Sequence, residues 1–251
     1  MKIFVMNLDW ELERMASMTR QLNQLGLPFE RFPCVVGRNL SQEEFCRRYD
    51  DRLTRLVLCR SMTPGEVGAA LTNLEIYTRM IRDHIPYAMI LEDDVIIQEG
   101  FCETLEAITS WLDAGRRQIF LLSEDLALQD TFPLANGAVA GKLRAGSKSS
   151  AYIITQRAAR AVLQWQTPVR GLPDQWNRMM LYGLAQIYGL AKPVAVQDQV
   201  RFASSIGEAR FHLVAQAGIG RVVFKLKRVF GRSFDWANAR YYRQAHLQEQ
   251  P

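Results

Sequence analysis

The chain has 251 residues, 48% of them hydrophobic and 23% charged, which excludes a disordered chain and suits one large α/β domain with a small appendage. No uninterrupted apolar segment is long enough to span a bilayer, and the N-terminus reads as a strand rather than a secretion signal, so a cytoplasmic protein is expected. The formal net charge of +5 invites a polyanionic partner, while Cys34, Cys46, Cys59 and Cys102 lack CxxC or zinc spacing and read as reduced thiols.

The pattern predicts a strand over 3–8 and a helix over 10–25, where Leu12, Met15, Met18, Leu22 and Leu25 recur at spacings of three and four. Gly26 ends that helix, and a second strand follows over 28–36. Such a β-α-β opening implies a parallel pair with a right-handed crossover. Residues 37–60 are charged and weakly periodic, a surface stretch of helix and loop. Thr63-Pro64-Gly65-Glu66 is a strong helix start, with a capping threonine, proline at the first helical position and glutamate closing a capping box. That helix is expected to reach His84 and to deliver the chain into the next strand.

The next strand is the centre of the chain. Tyr87-Ala88-Met89-Ile90-Leu91 climbs into Glu92-Asp93-Asp94, and Val95-Ile96-Ile97 follows at once. Three adjacent acids repel one another and resist burial unless positive charge sits among them. Alternation along an extended chain would put Glu92 and Asp94 on one side and Asp93 on the other. Two oxygen ligands on one face, with open positions left, suit Mg²⁺ or Mn²⁺ carrying a diphosphate. The alternative on spacing alone is an acidic turn after an edge strand.

Beyond it the pattern gives a helix over 101–112, a buried strand over 118–122, and hairpins or a mobile loop over 127–148, where Gly137, Gly141 and Gly146 punctuate short apolar pairs. A strand over 151–155 leads into a helix that Thr155 or Gln156 opens and that runs through Trp165. Gly171-Leu172-Pro173 interrupts the chain before a helix over 174–182, and short strands follow at 186–188 and 194–196. From 218 to 243 the character changes: Arg221, Lys225, Lys227, Arg228 and Arg232 alternate with Val222, Phe224, Leu226, Phe230 and Phe234, with Trp236 beyond. The number of aromatics favours a tail, 211–251, that lies on an anionic membrane surface, over one that docks on the 1–210 domain with its basic face in water. No nucleic-acid-binding module accompanies the charge, so no nucleic acid is expected.

Three ordered blocks resemble glycosyltransferase family 25 of lipopolysaccharide-synthesising enzymes: Phe4-Val5-Met6-Asn7-Leu8 with Glu13-Arg14, Arg60-Ser61-Met62-Thr63-Pro64-Gly65-Glu66-Val67-Gly68-Ala69-Ala70-Leu71, and Ile90-Leu91-Glu92-Asp93-Asp94-Val95. Weaker echoes are Ser150-Ala151-Tyr152-Ile153-Ile154-Thr155 with Ala158-Ala159, Pro173-Asp174, and Ser204-Ser205-Ile206. The family's usual Cys and Ser-His in the helix after Glu-Ile-Gly are here Ala69, Thr72 and Asn73. An asparagine keeps one hydrogen bond of that histidine but exchanges no proton near neutral pH. The resemblance implies a GT-A-like nucleotide-sugar-binding fold and inverting transfer from a UDP-sugar, commonly UDP-galactose. It also implies a lipid-linked oligosaccharide acceptor and a peripheral position on the cytoplasmic face of a bacterial inner membrane.

In that frame Asp94 is assigned as direct metal ligand, with Glu92 on the same face and Asp93 toward the ribose or donor sugar. Metal charge would neutralise the departing diphosphate. Inversion also needs a base for the acceptor hydroxyl. Asp174 is the choice, in the Pro-Asp element, although its place at a helix start equally makes it an N-cap. Asp198 and Glu124 are held in reserve. Asn7 and Leu8 end the first strand, where the crevice outside a parallel sheet receives nucleotides. Arg14 would reach the uridine or a phosphate, or else is an exposed helical arginine. Arg60 is a phosphate ligand or an acidic residue's partner. Tyr152 packs on the donor or lies in the core. His84, His212 and His246 show no mutual metal spacing. A nucleotidyltransferase would carry a glycine-rich basic loop after its first strand, and Asn7-Leu8-Asp9-Trp10-Glu11 has neither glycine nor lysine. The remaining rival is a non-catalytic relative that binds a membrane or a partner glycosyltransferase.

Overall fold

A computed structural model describes residues 1–198 and 201. The proposed membrane-binding tail 211–251, its boundary with the domain, His212, His246 and Ser204-Ser205-Ile206 lie outside the described residues. In chain order the elements are β1 (Lys2–Asn7), α1 (Leu12–Gln24), β2 (Glu30–Pro33), α2 (Gln42–Arg48), α3 (Asp51–Leu58), α4 (Pro64–Arg82), β3 (Tyr87–Glu92), β4 (Val95–Ile97) and α5 (Phe101–Trp111). They continue with β5 (Gln118–Leu121), β6 (Leu126–Pro133), β7 (Val139–Gly146), β8 (Ala151–Thr155), α6 (Gln156–Gln166), α7 (Trp176–Leu181), β9 (Gln186–Leu190) and β10 (Ala195–Gln197).

An eight-stranded sheet, ordered β2-β1-β3-β8-β5-β9-β7-β6, forms the core. β1 runs parallel to β2 and β3, as β5 does to β9; β8 is antiparallel to β3 and β5, and β7 to β9 and β6. Most strands therefore point one way, with β8 and β7 reversed, in the mixed α/β layout expected. The first β-α-β unit is the expected parallel pair. β4 and β10 make a separate two-stranded ribbon.

Helices cover both faces, which is why the central strands are continuous apolar runs. Alternate residues of β1 and β3 go to opposite layers. Ile3, Val5, Met89 and Leu91 pack with Met18 and Leu22 of α1 and with Phe101, Leu105 and Ile108 of α5. Phe4, Met6, Ala88 and Ile90 pack with Leu71, Leu74 and Tyr77 of α4 and with Ala158 and Val162 of α6. Phe4 and Ile90 are fully buried, each a contribution of about 1.5–3 kcal/mol by transfer.

The capping box at α4 is formed as predicted. Thr63 Oγ1 accepts from the Glu66 amide at 3.1 Å, and Glu66 Oε2 accepts from the Thr63 amide at 2.9 Å. Two glycines then let the helix start sit directly on the chain leaving β2. A Cβ on Gly68 would stand 2.3 Å from the Val35 carbonyl oxygen, and one on Gly37 would stand 1.9 Å from that of Pro64. This contact also cuts β2 short of the predicted 28–36: after Pro33 the chain turns through a 3-10 turn, Gly37–Asn39, and the Val35 amide donates to Thr72 Oγ1 on α4 at 2.9 Å.

Other boundaries move for local reasons. The stretch over 127–148 is a hairpin, β6 with β7. The last predicted helix is shorter: α7 is N-capped at Gln175, and the Asp174 carbonyl accepts from the Trp176 amide at 2.8 Å in the preceding turn. Asp174 is therefore not the N-cap. Strict alternation also stops at Glu92, because Asp93 and Asp94 form the turn between β3 and β4.

Gly68→Ala is expected to cost about 1–3 kcal/mol in urea unfolding, as overpacking against rigid backbone does. Thr63→Ser, which keeps the capping oxygen, should leave the midpoint nearly unchanged.

Candidate active site

β1 and β3 pair in register with Met6 opposite Glu92, so the chain leaves both strands at the same sheet edge. There Asn7, almost fully buried, donates through Nδ2 to Asp93 Oδ2 at 2.6 Å and to the Glu11 carbonyl at 3.0 Å. Its Oδ1 accepts from Arg31 Nε at 2.8 Å. Arg14, on the first turn of α1, brings its guanidinium to 3.6 Å from Asp93, 3.9 Å from Asp94 and 3.4 Å from Glu11. Glu92 accepts from Gln197 Nε2 at 3.0 Å and Ser149 Oγ at 3.4 Å. The Asp198 amide donates to the Asp94 carbonyl at 2.8 Å and ties the end of β10 to the acidic turn.

The positive charge that the acids require thus comes in part from Arg14, and it does not fully balance them. Burial, then the charges of Asp94 and Asp93, push the Glu92 carboxyl up to about 8. Burial also raises Asp93 against the hydrogen bond from Asn7, and Asp94 against the pull of Arg14. Asp94 Oδ1 is buried with no hydrogen-bond partner among the described residues. Buried anionic oxygen left in that state calls for a cation. No group of three His, Cys, Asp or Glu side chains among the described residues is arranged to hold a metal ion. Asp94 and Glu92 would therefore supply two carboxylates, and the other positions would fall to a ligand or water.

The acids border a cleft of about 140 Å³ whose lining includes Arg14, Asn73 and Pro173. Leu8, Cys34 and Ala69 line both this cleft and a neighbouring groove of about 350 Å³, which runs past Trp10, Val36 and Arg38 to Pro64. Trp10 is half exposed there, and the Arg38 guanidinium lies 5.7 Å from its ring centre. Burial and the nearby Asp93 push the Cys34 thiol up to about 12, so it stays protonated at the junction.

Of the residues singled out by sequence, Asn7, Leu8, Arg14, Glu92, Asp93 and Asp94 converge here. All three acids border the cleft, so the expected split of Asp93 from its neighbours does not hold; the turn at 93–94 removes the alternation. Asp174 follows the cleft-lining Pro173, and its charge adds to the upward shift of Glu92. Arg14 is buried, not an exposed helical arginine.

Two assignments change. Arg60 is not among the cleft-lining residues and takes the acidic-partner role: it forms a two-pronged pair with Glu66 at 2.7 and 2.6 Å that buries the capping box. Tyr152 is fully enclosed and cannot pack on a bound donor. Its hydroxyl meets Tyr77 Oη at 2.7 Å and donates to Asn73 Oδ1, while Asn73 Nδ2 donates to the Ala69 carbonyl at 2.9 Å. Asn73 is thereby fixed on the cleft wall. Of the reserves, Asp198 adjoins Asp94, whereas Glu124 pairs with Lys148. Sequence reasoning passed over Gln197, Ser149 and Trp10. A tryptophan just beyond the first strand was a usable signal for the last; the other two are brought in from distant elements and carry no local pattern.

A mostly parallel sheet with charged side chains gathered at its strands' carboxyl ends is the layout of a ligand-binding α/β protein. The sequence profile of glycosyltransferase family 25 (LPS biosynthesis protein) matches residues 1–175. A Drosophila melanogaster glycosyltransferase 25 family member is 34% identical over 107 residues, 40% of this chain and 17% of that protein. The chain thus spans well under half the length of that relative. A Haemophilus influenzae protein named "Putative glycosyltransferase" is 22% identical over 246 residues, 91% of this chain and 83% of its own. The crystal structure of a glycosyltransferase involved in glycosylation of the major capsid of PBCV-1 aligns over 85% of this chain and 98% of its own, with a TM-score of 0.38 and 10% identity. The chain belongs to glycosyltransferase family 25.

Glu92 gives a pH-dependent expectation. Its folded value, about 8, lies above the ordinary 4.5, so its share of stability is complete below pH 4.5 and is lost as pH rises through 8. With chelator present, Glu92→Gln should unfold at increasingly higher temperature than wild type between pH 4.5 and 8, and the gap should level off above that. A gap independent of pH in scanning calorimetry would contradict the assignment.

Proposed function

We propose that the protein is a metal-dependent inverting glycosyltransferase of the GT-A-like type. It moves a hexose, galactose in the leading reading, from a UDP-sugar to the growing oligosaccharide of a bacterial lipopolysaccharide or lipooligosaccharide. The observation that carries this reading is the convergence of Glu92, Asp93, Asp94, Arg14 and Asn7 beside an open groove, in a chain of family 25.

In this reading the nucleobase lies in the groove, on the exposed face of Trp10 and beside Leu8 and Val36. The diphosphate points into the acidic cleft. Asp94 with Glu92 would hold a divalent cation, Mn²⁺ or Mg²⁺, which when bound would supply Lewis-acid charge for the departing diphosphate. Arg14 adds a fixed positive charge on the same side, held by Glu11 and Asp93 so that it needs no reorganisation as negative charge develops. Asn7 orients Asp93 toward the donor's ribose or sugar hydroxyls, and its hydrogen bond favours the charged carboxylate against the opposing effect of burial. Asp174, next to the cleft-lining Pro173, takes the proton of the attacking acceptor hydroxyl. The cleft provides Asn73 where relatives usually place histidine, so proton transfer there falls to a carboxylate.

The basic aromatic tail would hold the enzyme to the inner leaflet, next to a lipid-linked acceptor. No helix among the described residues is long and apolar enough to cross a membrane.

The test is UDP release from a panel of UDP-sugars, with Mn²⁺ or with chelator. Slow, metal-dependent release from one donor is expected, and Asp94→Ala should lower it at least 100-fold. Trp10→Ala should weaken UDP binding roughly five- to tenfold, as loss of about 1–1.4 kcal/mol of ring contact does. Release that persists in chelator and in Asp94→Ala would reject the metal-dependent mechanism. No UDP binding at all would favour the non-catalytic relative.

A further inference from the structure

The acidic cleft does not account for all the buried polar groups at this sheet edge. Beyond the reversed strand β8, the carboxyl ends of β5 and β9 open into a second cleft of about 390 Å³, whose lining includes Ser123, Glu124, Leu126, Ala127, Leu190 and Ala191. Ser123 is 1% exposed, and its Oγ has no hydrogen-bond partner among the described residues. Glu124 accepts from Lys148 and from the Gln197 amide at 3.3 Å through Oε1, whereas its Oε2 is buried and equally without a partner. A hydroxyl and a carboxylate oxygen in that state are costly to bury unless a ligand or water satisfies them.

Three further observations mark this cleft as built for a ligand. Asp125, which lines the cleft, and Lys148 both adopt left-handed backbone, φ 64° and 70°, and pair with each other at 3.1 Å. Such strain in residues with side chains gathers at binding sites. Gln197 joins the two clefts, since its side chain donates to Glu92 while its backbone amide donates to Glu124. Trp176 Nε1 donates to the Lys148 carbonyl at 2.9 Å, which links the partner of Glu124 to the helix just after Asp174.

We infer that this cleft is a saccharide subsite, the place where a glycosyl residue of the acceptor rests while its hydroxyl reaches the acidic cleft. The inference rests on the transferase reading of that neighbouring site. The chemistry fits a sugar. Glu124 Oε2 accepts from a ring hydroxyl, Ser123 Oγ donates to or accepts from the next one, and Leu126 and Ala127 offer apolar surface to the C–H side of a pyranose. No bond is made or broken here. Glu124 and Ser123 are positioning residues, and Lys148 holds the Glu124 side chain in place through their ion pair.

The experiment uses the full chain with UDP and Mn²⁺, and probes it with methyl β-D-galactopyranoside and methyl β-D-glucopyranoside by saturation-transfer NMR. UDP affinity is measured alongside by calorimetry. Wild type should show saturation of at least one glycoside. Ser123→Ala and Glu124→Gln should each reduce it at least fivefold, with UDP affinity within twofold of wild type. Ala191→Trp, which fills the cleft from an exposed position without touching the core, should abolish it. Undiminished glycoside signal in all three variants, or no signal from a wild type that binds UDP, overturns the subsite while the transferase reading stands. A wild type that binds glycoside but no UDP overturns the transferase reading instead, and with it the acceptor role of the subsite.

Discussion

The structure turns on a cost: three consecutive carboxylates end a strand that is buried on both faces. Burial and mutual repulsion lift their proton affinities; Asn7 and Arg14 answer from the neighbouring β1 and α1, and Gln197 and Ser149 donate to Glu92. A purely structural protein would gain stability by replacing such residues. Their presence here, beside an Asp94 oxygen with no partner among the described residues, reads as a site whose remaining positive charge arrives with its ligand.

The surrounding fold serves that arrangement. The parallel pairing of β1 with β3 brings Asn7 to Asp93, and the glycine contact of α4 with the loop after β2 opens a groove next to the acids. Tyr77, Tyr152 and Asn73 form a buried chain of hydroxyl and amide contacts that fixes the cleft wall. Gln197 bridges the acids to the second cleft, so donor and acceptor would lie along one edge of one sheet.

Much of this was legible in the chain. Helical spacing gave α1, the Thr63–Glu66 capping box gave the start of α4, and the apolar run into Glu92 placed the site at the end of β3. What escaped has physical reasons. A one-turn change of direction at Asp93 and Asp94 defeats strand alternation, and no local signal marks it. Arg60 belongs to a buried pair with Glu66, a partner that only the fold reveals. Tyr152 looks the same in sequence whether it faces a ligand or, as it does, the core. Ser123 and Lys148 became visible only when β5 and β8 were paired and their ends stood side by side.

The most direct measurement is anomalous diffraction from crystals of the full chain soaked with Mn²⁺ and UDP. The account predicts one manganese peak within coordination distance of the Asp94 carboxylate, bridged to the diphosphate, with uracil against Trp10. UDP bound with manganese away from Asp94, or uracil outside the Trp10 groove, would contradict it.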